Sequence, residues 1–174
     1  QAIVDNSANV SINKNAAIDA DIFNRVIATM GKYGVAKRRG DVVFVCDVNT
    51  ASRALSIAEV ETADSGMRAT VSSGELMQLY GKPIIQSEQM KLADTDGKVT
   101  DSGGNTVGRI LGFNTTQWKV GFRRQITVET DREAGKGQTT MYVSLRIALT
   151  ERSGSRTAAA TKHTAIAYNI TGVA

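Results

Sequence analysis

Two stretches, WKVGFRRQITVETDR (118–132) and MYVSLRIALTE (141–151), constrain this chain more than any other feature. Read by twos, Trp118, Val120, Phe122, Ile126 and Val128 fall on one side of the first, with Lys119, Arg123, Gln125, Thr127 and Glu129 on the other. In the second, Met141, Val143, Leu145, Ile147 and Leu149 share a face opposite Tyr142, Ser144, Arg146 and Ala148. A period of two is that of a strand with one buried face. The intervening DREAGKGQ (131–138) has two glycines and reads as a turn. The pattern therefore predicts a long two-stranded ribbon, about 40 Å for a dozen residues per strand.

A ribbon of this kind is marginal alone in water. Burying a large apolar side chain stabilises by ~1.5–3 kcal/mol, so leaving these wet forgoes on the order of ten kcal/mol, comparable with the net stability of a small domain. The apolar face needs a cover. Arg124 interrupts that face in the alternating count, and a charge there must reach water, a carboxylate or a neighbouring chain. Glu129, Asp131 and Glu151 are its nearest acidic residues in sequence.

The 174 residues suit one domain or a domain with an appendage, and 41% hydrophobic content is enough for a core. The longest apolar run is VVFVC (42–46), far short of the ~20 residues of a membrane helix. No basic end followed by an apolar block marks a signal peptide. The chain begins at Gln1 rather than Met, which reads as a processed product or a fragment. Cys46 is the lone cysteine, so no intrachain disulfide forms; its place in the apolar run reads as a small buried hydrophobe. A net charge of +4 is too diffuse to argue nucleic-acid binding alone.

Residues 1–15 are polar and Asn-rich and read as a poorly ordered lead-in or an edge strand. Ile18, Ile22, Phe23, Val26, Ile27, Met30 and Tyr33 form one helical stripe, with Asn13 or Asn15 as cap and Gly34 as stop. DVVFVCDV (41–48) is apolar on both faces and reads as a central strand. Asn49 or Thr50 then caps a short helix over 51–60, and 61–72 is a loop. Ser72 and Glu75 form a capping box that opens a second short helix, GELMQLY, which Gly81 and Pro83 end. KPIIQSE (82–88) is a strand with its proline at a first or edge position. Residues 91–108 are a polar excursion, a mobile tip or a small hairpin, and 109–113 and 163–171 are further strands. RSGSRTAAAT (152–161) is a loop. The fold class is α+β: a small mixed sheet with flanking helices and a long projecting two-stranded ribbon.

Little in the chain points to catalysis. His163 is the only histidine and has no nucleophile pairing, so it reads as structural. One Cys and one His give no zinc spacing. Asp94 and Asp96 fit the first and third positions of a calcium loop, but Gly97 comes too early and the twelfth position is Asn105. No phosphate-binding glycine motif occurs, and the N-x-S/T triplets at Asn9, Asn114 and Asn169 read as chance. Lys37, Arg38, Arg39, Arg123 and Arg124 are the densest basic groups, without aromatic residues to stack bases. No catalytic, cofactor or metal site is expected, and no membrane partner.

Taken in order, GDVVFVCDVNTASRAL, GELMQLYGKPIIQSEQM, GRILGFNTTQWKVGFRRQITVETDR, MYVSLRIALTER and HTAIAYNITGV resemble major capsid proteins of tailed bacteriophages with the HK97 fold. The shared features are an apolar strand running into a helix start, a G-x-P strand entry at Gly81-Lys82-Pro83, the ribbon with charges near its turn, and a last apolar strand. The resemblance covers Ile18 to Val173. It implies a lead-in over 1–15, an axial domain over 16–116 completed by 160–174, and the peripheral-domain ribbon over 117–159. The family's N-terminal arm, extended loop and spine helix are absent from residues 1–17, so the chain reads as the C-terminal portion of a longer shell protein. The spine helix lies against the ribbon in that family, which is the cover the pattern calls for. GQTTMYV (137–143) lacks the asparagine with which some members cross-link, so no isopeptide chemistry is expected.

The resemblance implies a structural, non-enzymatic subunit of an icosahedral virion capsid, assembled in the bacterial host cytoplasm. Its partners are copies of itself in pentamers and hexamers, the missing N-terminal part, and packaged DNA through non-specific charge. Trp118, Phe122, Arg123, Arg124, Glu129, Arg132, Glu133, Arg146 and Glu151 are the expected subunit contacts. An encapsulin-like nanocompartment shell shares the fold. A different class of reading is a small binding or adhesin domain that uses the ribbon for β-augmentation.

Overall fold

The computed structural model describes residues 10–57, 78–101, 103–152 and 163–173. The described elements are β1 (Ser11–Ala17), α1 (Ala20–Met30), β2 (Val42–Cys46), α2 (Val48–Leu55), β3 (Gln78–Leu79), β4 (Lys82–Gln86), β5 (Gly108–Asn114), β6 (Trp118–Glu133), β7 (Gln138–Glu151) and β8 (Thr164–Thr171). The chain is mixed α+β and separates into two units, Gln1–Thr115 with Ser155–Ala174, and Thr116–Gly154. The first contains a six-stranded mixed sheet in the order β1-β8-β5-β2-β4-β3 and both helices; the second is the separate β6-β7 sheet.

The polar start resolves into an edge strand where it is described: β1 pairs in parallel with β8, Ser11 opposite Ile166 and Ala17 opposite Thr171. This explains why neither Asn13 nor Asn15 caps the first helix. Their side-chain oxygens accept from Asn169 Nδ2 at 3.0 and 3.3 Å, across the β1–β8 pair. Asn15 and Asn169 both take positive φ, 47° and 58°, at an irregularity in that pairing, a conformation asparagine tolerates better than most residues. The cap is Asp19, extended in backbone, whose carboxylate accepts from the Ile22 N–H at 2.9 Å and pairs with Lys14. The helix also ends earlier than its apolar stripe suggests. Gly31, at φ 55°, stops it, and the chain continues as a 3-10 turn to Gly34.

The second cap is displaced in the same way. Asp47, not Asn49 or Thr50, opens α2 directly from the end of β2, accepting the Thr50 N–H at 2.9 Å as well as the Thr50 hydroxyl. The helix occupies Val48–Leu55 rather than 51–60. Ser72, Glu75 and the loop 61–72 lie outside the described residues. Within the expected second short helix, Gln78–Leu79 are strand, because Tyr80 and Gly81, at φ 51° and 71°, make a two-residue hairpin turn back into β4. Pro83 sits ahead of the ladder to β2, which starts at Ile84, so its missing N–H is not needed there.

Two glycines decide how the helices dock. Gly108 and Gly112 lie on one face of β5, with Ile110 between them. A Cβ on Gly112 would stand 2.5 Å from Val26 Cγ1 and 3.1 Å from Met30 Sδ, both on α1; one on Gly108 would meet the Thr50 hydroxyl of α2. Both helices therefore pack on this face. There Ile22, Phe23, Val26 and Met30 close over Val42, Phe44, Cys46, Ile110, Ala165 and Ala167, all buried. Phe23 meets Phe44 edge-on with ring centres 5.1 Å apart.

The polar excursion lies on the opposite face. An Ala93–Val107 bridge closes its neck. Arg109, on that face of β5, donates to the carbonyls of Lys91 at 2.6 Å and Gly97 at 3.2 Å. Gly97, at φ 79°, rests on the Tyr168 ring so closely that a side chain has no room. Burial lowers the Arg109 pKa and the Asp47 carboxylate opposes this.

Two outcomes follow for stability. Gly112→Val should lower the unfolding free energy by about 1–3 kcal/mol, because α1 must shift off the sheet. Gly135→Val, where nothing lies within 4 Å, should change it by less than about 0.5 kcal/mol; urea midpoints of the two variants make the comparison. The Cys46 thiol is pushed up to about 12, first by burial and then by Asp47. The folded chain holds that proton more tightly than the unfolded chain, so this contribution is intact below the ordinary thiol value of ~8.5 and is lost as the pH rises from there towards about 12. A thiol reagent at pH 8 should label Cys46 slowly in the native protein and rapidly in denaturant, and Cys46→Ala should flatten the alkaline loss of stability.

Candidate assembly interface

β6 and β7 pair antiparallel from Trp118 opposite Glu151 to Glu133 opposite Gln138. The turn carries Gly137 at φ 62° and a Glu133–Lys136 ion pair of 3.0 Å. Directly opposed residues share a face. Val120 with Leu149, Phe122 with Ile147 and Val128 with Val143 lie on one side, where Met141 and Leu145 follow by alternation. These side chains are 45–63% exposed, and Ile126 is 67% exposed.

The ladder is irregular between Phe122 and Thr127. Phe122 to Arg124 spans two steps on β6 against one on β7, and Arg124 to Thr127 spans three against two. Each is a bulge with one extra residue on β6. A single extra residue reverses which side the following side chains face, and the second restores it. Arg124 is consequently not on the apolar face, as regular alternation implies. It stands opposite Arg146 on the polar face, while Val128 returns to the apolar one. Arg123 has no cross-strand partner in the register.

The polar face is divided by sign. Lys119, Arg124 and Arg146 occupy its half nearer Trp118; Glu129, Asp131 and Glu133 occupy the half nearer the turn. Thr127 and Ser144 sit opposite each other between them. Arg124 forms no ion pair with Glu129 or Asp131, and among the described residues Arg146 forms none either. Like charges directly opposite each other across a strand pair repel. Tyr142, 60% exposed, lies beside Glu129 on this face. Trp118 is half-buried, Phe122 is on the apolar face, and Arg132 is opposite Thr139 on that same side. Glu151 pairs with Trp118 in the backbone, and its side chain lies outside the described ones.

The other candidates are occupied with structure. His163 is buried edge-on to Tyr33, ring centres 4.1 Å apart, and its carbonyl accepts the Asn114 N–H at 3.0 Å. The Asn114 and Asn169 amides are buried, Asn114 donating to the Tyr33 carbonyl at 2.6 Å. Neither offers an open side chain for modification, and Asn9 lies outside the described residues. Asp94, Asp96 and Asn105 direct their oxygens to local N–H groups of Thr95, Lys98 and Thr100. Among the described residues no group of three or more Cys, His, Asp or Glu is placed to hold a metal, and no helix is long and apolar enough to cross a membrane. Asp41 draws the N–H groups of Lys37 and Arg38 into a turn that leaves the basic cluster exposed. An open groove of about 440 Å³ beside the start of α2 is lined by Asp47, Asn49, Glu88, Lys91 and neighbours, with no convergent catalytic set.

The opposition of Arg124 and Arg146 was not readable from alternation, because the bulges that produce it leave no mark in a period-two count. The one available signal was the doublet Arg123-Arg124 inside an otherwise alternating strand. The chain matches no model of a known protein family and no curated protein at a significant level.

Proposed function

We infer that this chain is a structural subunit of a closed protein shell, a bacteriophage major capsid protein of the HK97 fold. The observation that carries the reading is the ribbon's apolar face: Val120, Phe122, Val128, Met141, Val143, Leu145, Ile147 and Leu149 stand 45–63% exposed. A continuous apolar strip of this kind marks an interaction surface rather than ordinary surface scatter. Covering it stabilises by on the order of ten kcal/mol, the scale of a whole domain's stability. In a shell, neighbouring copies provide that cover by symmetry-repeated contacts, with the family's spine helix contributing. The mixed sheet with two helices on one face and a separate two-stranded sheet is compatible with the axial and peripheral parts of that fold. The order of sequence segments from Ile18 to Val173 supports the same assignment.

Expression of the complete gene product in a bacterial host tests this directly. Closed particles by electron microscopy, disrupted by Phe122→Ser with Ile147→Ser at unchanged circular dichroism, are the expected result. Nucleic acid inside the particles supports a capsid, and protein cargo instead supports an encapsulin-like compartment. A protein that remains monomeric at high concentration and binds no apolar dye along the ribbon would overturn the shell reading.

A further inference from the structure

The polar face of the ribbon carries its own signature, independent of the shell reading. Its rungs, followed from Trp118 towards the turn, are Lys119/Thr150, Gly121/Ala148, Arg124/Arg146, Thr127/Ser144, Glu129/Tyr142, Asp131/Thr140 and Glu133/Gln138. The charges change sign about Thr127/Ser144, with Lys119, Arg124 and Arg146 on one side and Glu129, Asp131 and Glu133 on the other. A two-fold axis placed there, perpendicular to the strands and between two such faces, sets β6 over β6 and β7 over β7 in opposite directions. Arg124 then lies over the second copy's Glu129, and Arg146 over its Tyr142 ring. Lys119 lies over Glu133, and Gly121 leaves space above Asp131. The two hydroxyl residues at the axis are small enough for close approach.

We propose that this polar face is a self-complementary surface on which a second copy of the chain docks antiparallel, Arg124 against Glu129 and Arg146 against Tyr142. The opposite choice, ribbons aligned in parallel, stacks Arg124 and Arg146 on the same cations of the second copy and is excluded by like-charge repulsion. Among the described residues no carboxylate forms an ion pair with Arg124 or Arg146, which oppose one another, and the second copy supplies the neutralising charge. Guanidinium over a tyrosine ring adds a cation–π contact. The face measures about 40 Å by about 10 Å, on the order of 400 Å² per copy. That is below the ~1,000 Å² total of a stable complex, so the contact is weak and salt-sensitive.

Trapping with a short bis-maleimide tests the geometry, because two faced sheets stand about 10 Å apart, beyond a disulfide's reach, and Cys46 is buried and does not compete. Ser144→Cys, at the axis, should cross-link to its second copy at least tenfold faster than Thr150→Cys, which lies far from its own copy. Added to S144C, Arg124→Glu should slow trapping about tenfold, as should molar salt, and the swap R124E with Glu129→Arg in one chain should restore it, because each reversed charge again meets its opposite. These positions are exposed and outside the core, so the variants fold. Equal trapping at residues 144 and 150, or a swap that fails to restore the rate lost in R124E, would overturn the proposal.

Discussion

A two-stranded sheet cannot bury its own apolar face, and that limit governs how β6 and β7 must be understood. A larger sheet can turn one face to helices and the other to water or loops, as the six-stranded sheet here does. Two strands supply a row of side chains and nothing to lay across it. The aliphatic and aromatic positions from Val120 to Leu149 remain exposed for that reason. Every functional reading of the chain has to account for what covers them.

The six-stranded unit solves the same problem internally. Removing the side chains at Gly108 and Gly112 opens two depressions on β5, and α1 and α2 settle into them. The close approach brings Phe23 onto Phe44 and seals Cys46 deeply enough to hold its thiol proton far above the usual range. On the reverse side Arg109 and Tyr168 fasten the excursion that follows β4. Its short polar side chains are spent on turns of its own backbone, which is why its acidic residues do not converge on a cation site.

Much of this was legible from residue order. The stripe from Ile22 to Met30, the doubly apolar VVFVC and the alternation in β6 and β7 each reflect a local rule, that of a helix or a strand with known faces. The caps are not legible in the sequence, because several Asn, Asp and Thr residues stand near each helix start, and only backbone conformation and competing partners select among them. Asn13 and Asn15 are held by Asn169, more than 150 positions away, leaving Asp19 to cap. A Ser72–Glu75 capping box points to helix through Tyr80, whereas the positive φ of Tyr80 and Gly81 turns Gln78–Leu79 back as a strand.

The sequence by itself determined the periods: the apolar helical stripe from Ile22 to Met30, the doubly apolar strand at 42–46, and a ribbon with one apolar and one polar side. Those are consequences of spacing along the chain, and spacing is all a sequence contains. Tertiary structure alone decided the pairing order of the strands, the side of the sheet on which the helices lie, and the two bulges that bring Arg124 opposite Arg146. Register between strands is set by contacts between residues far apart in the chain, and one inserted residue reverses a face without altering the local pattern that announces a strand.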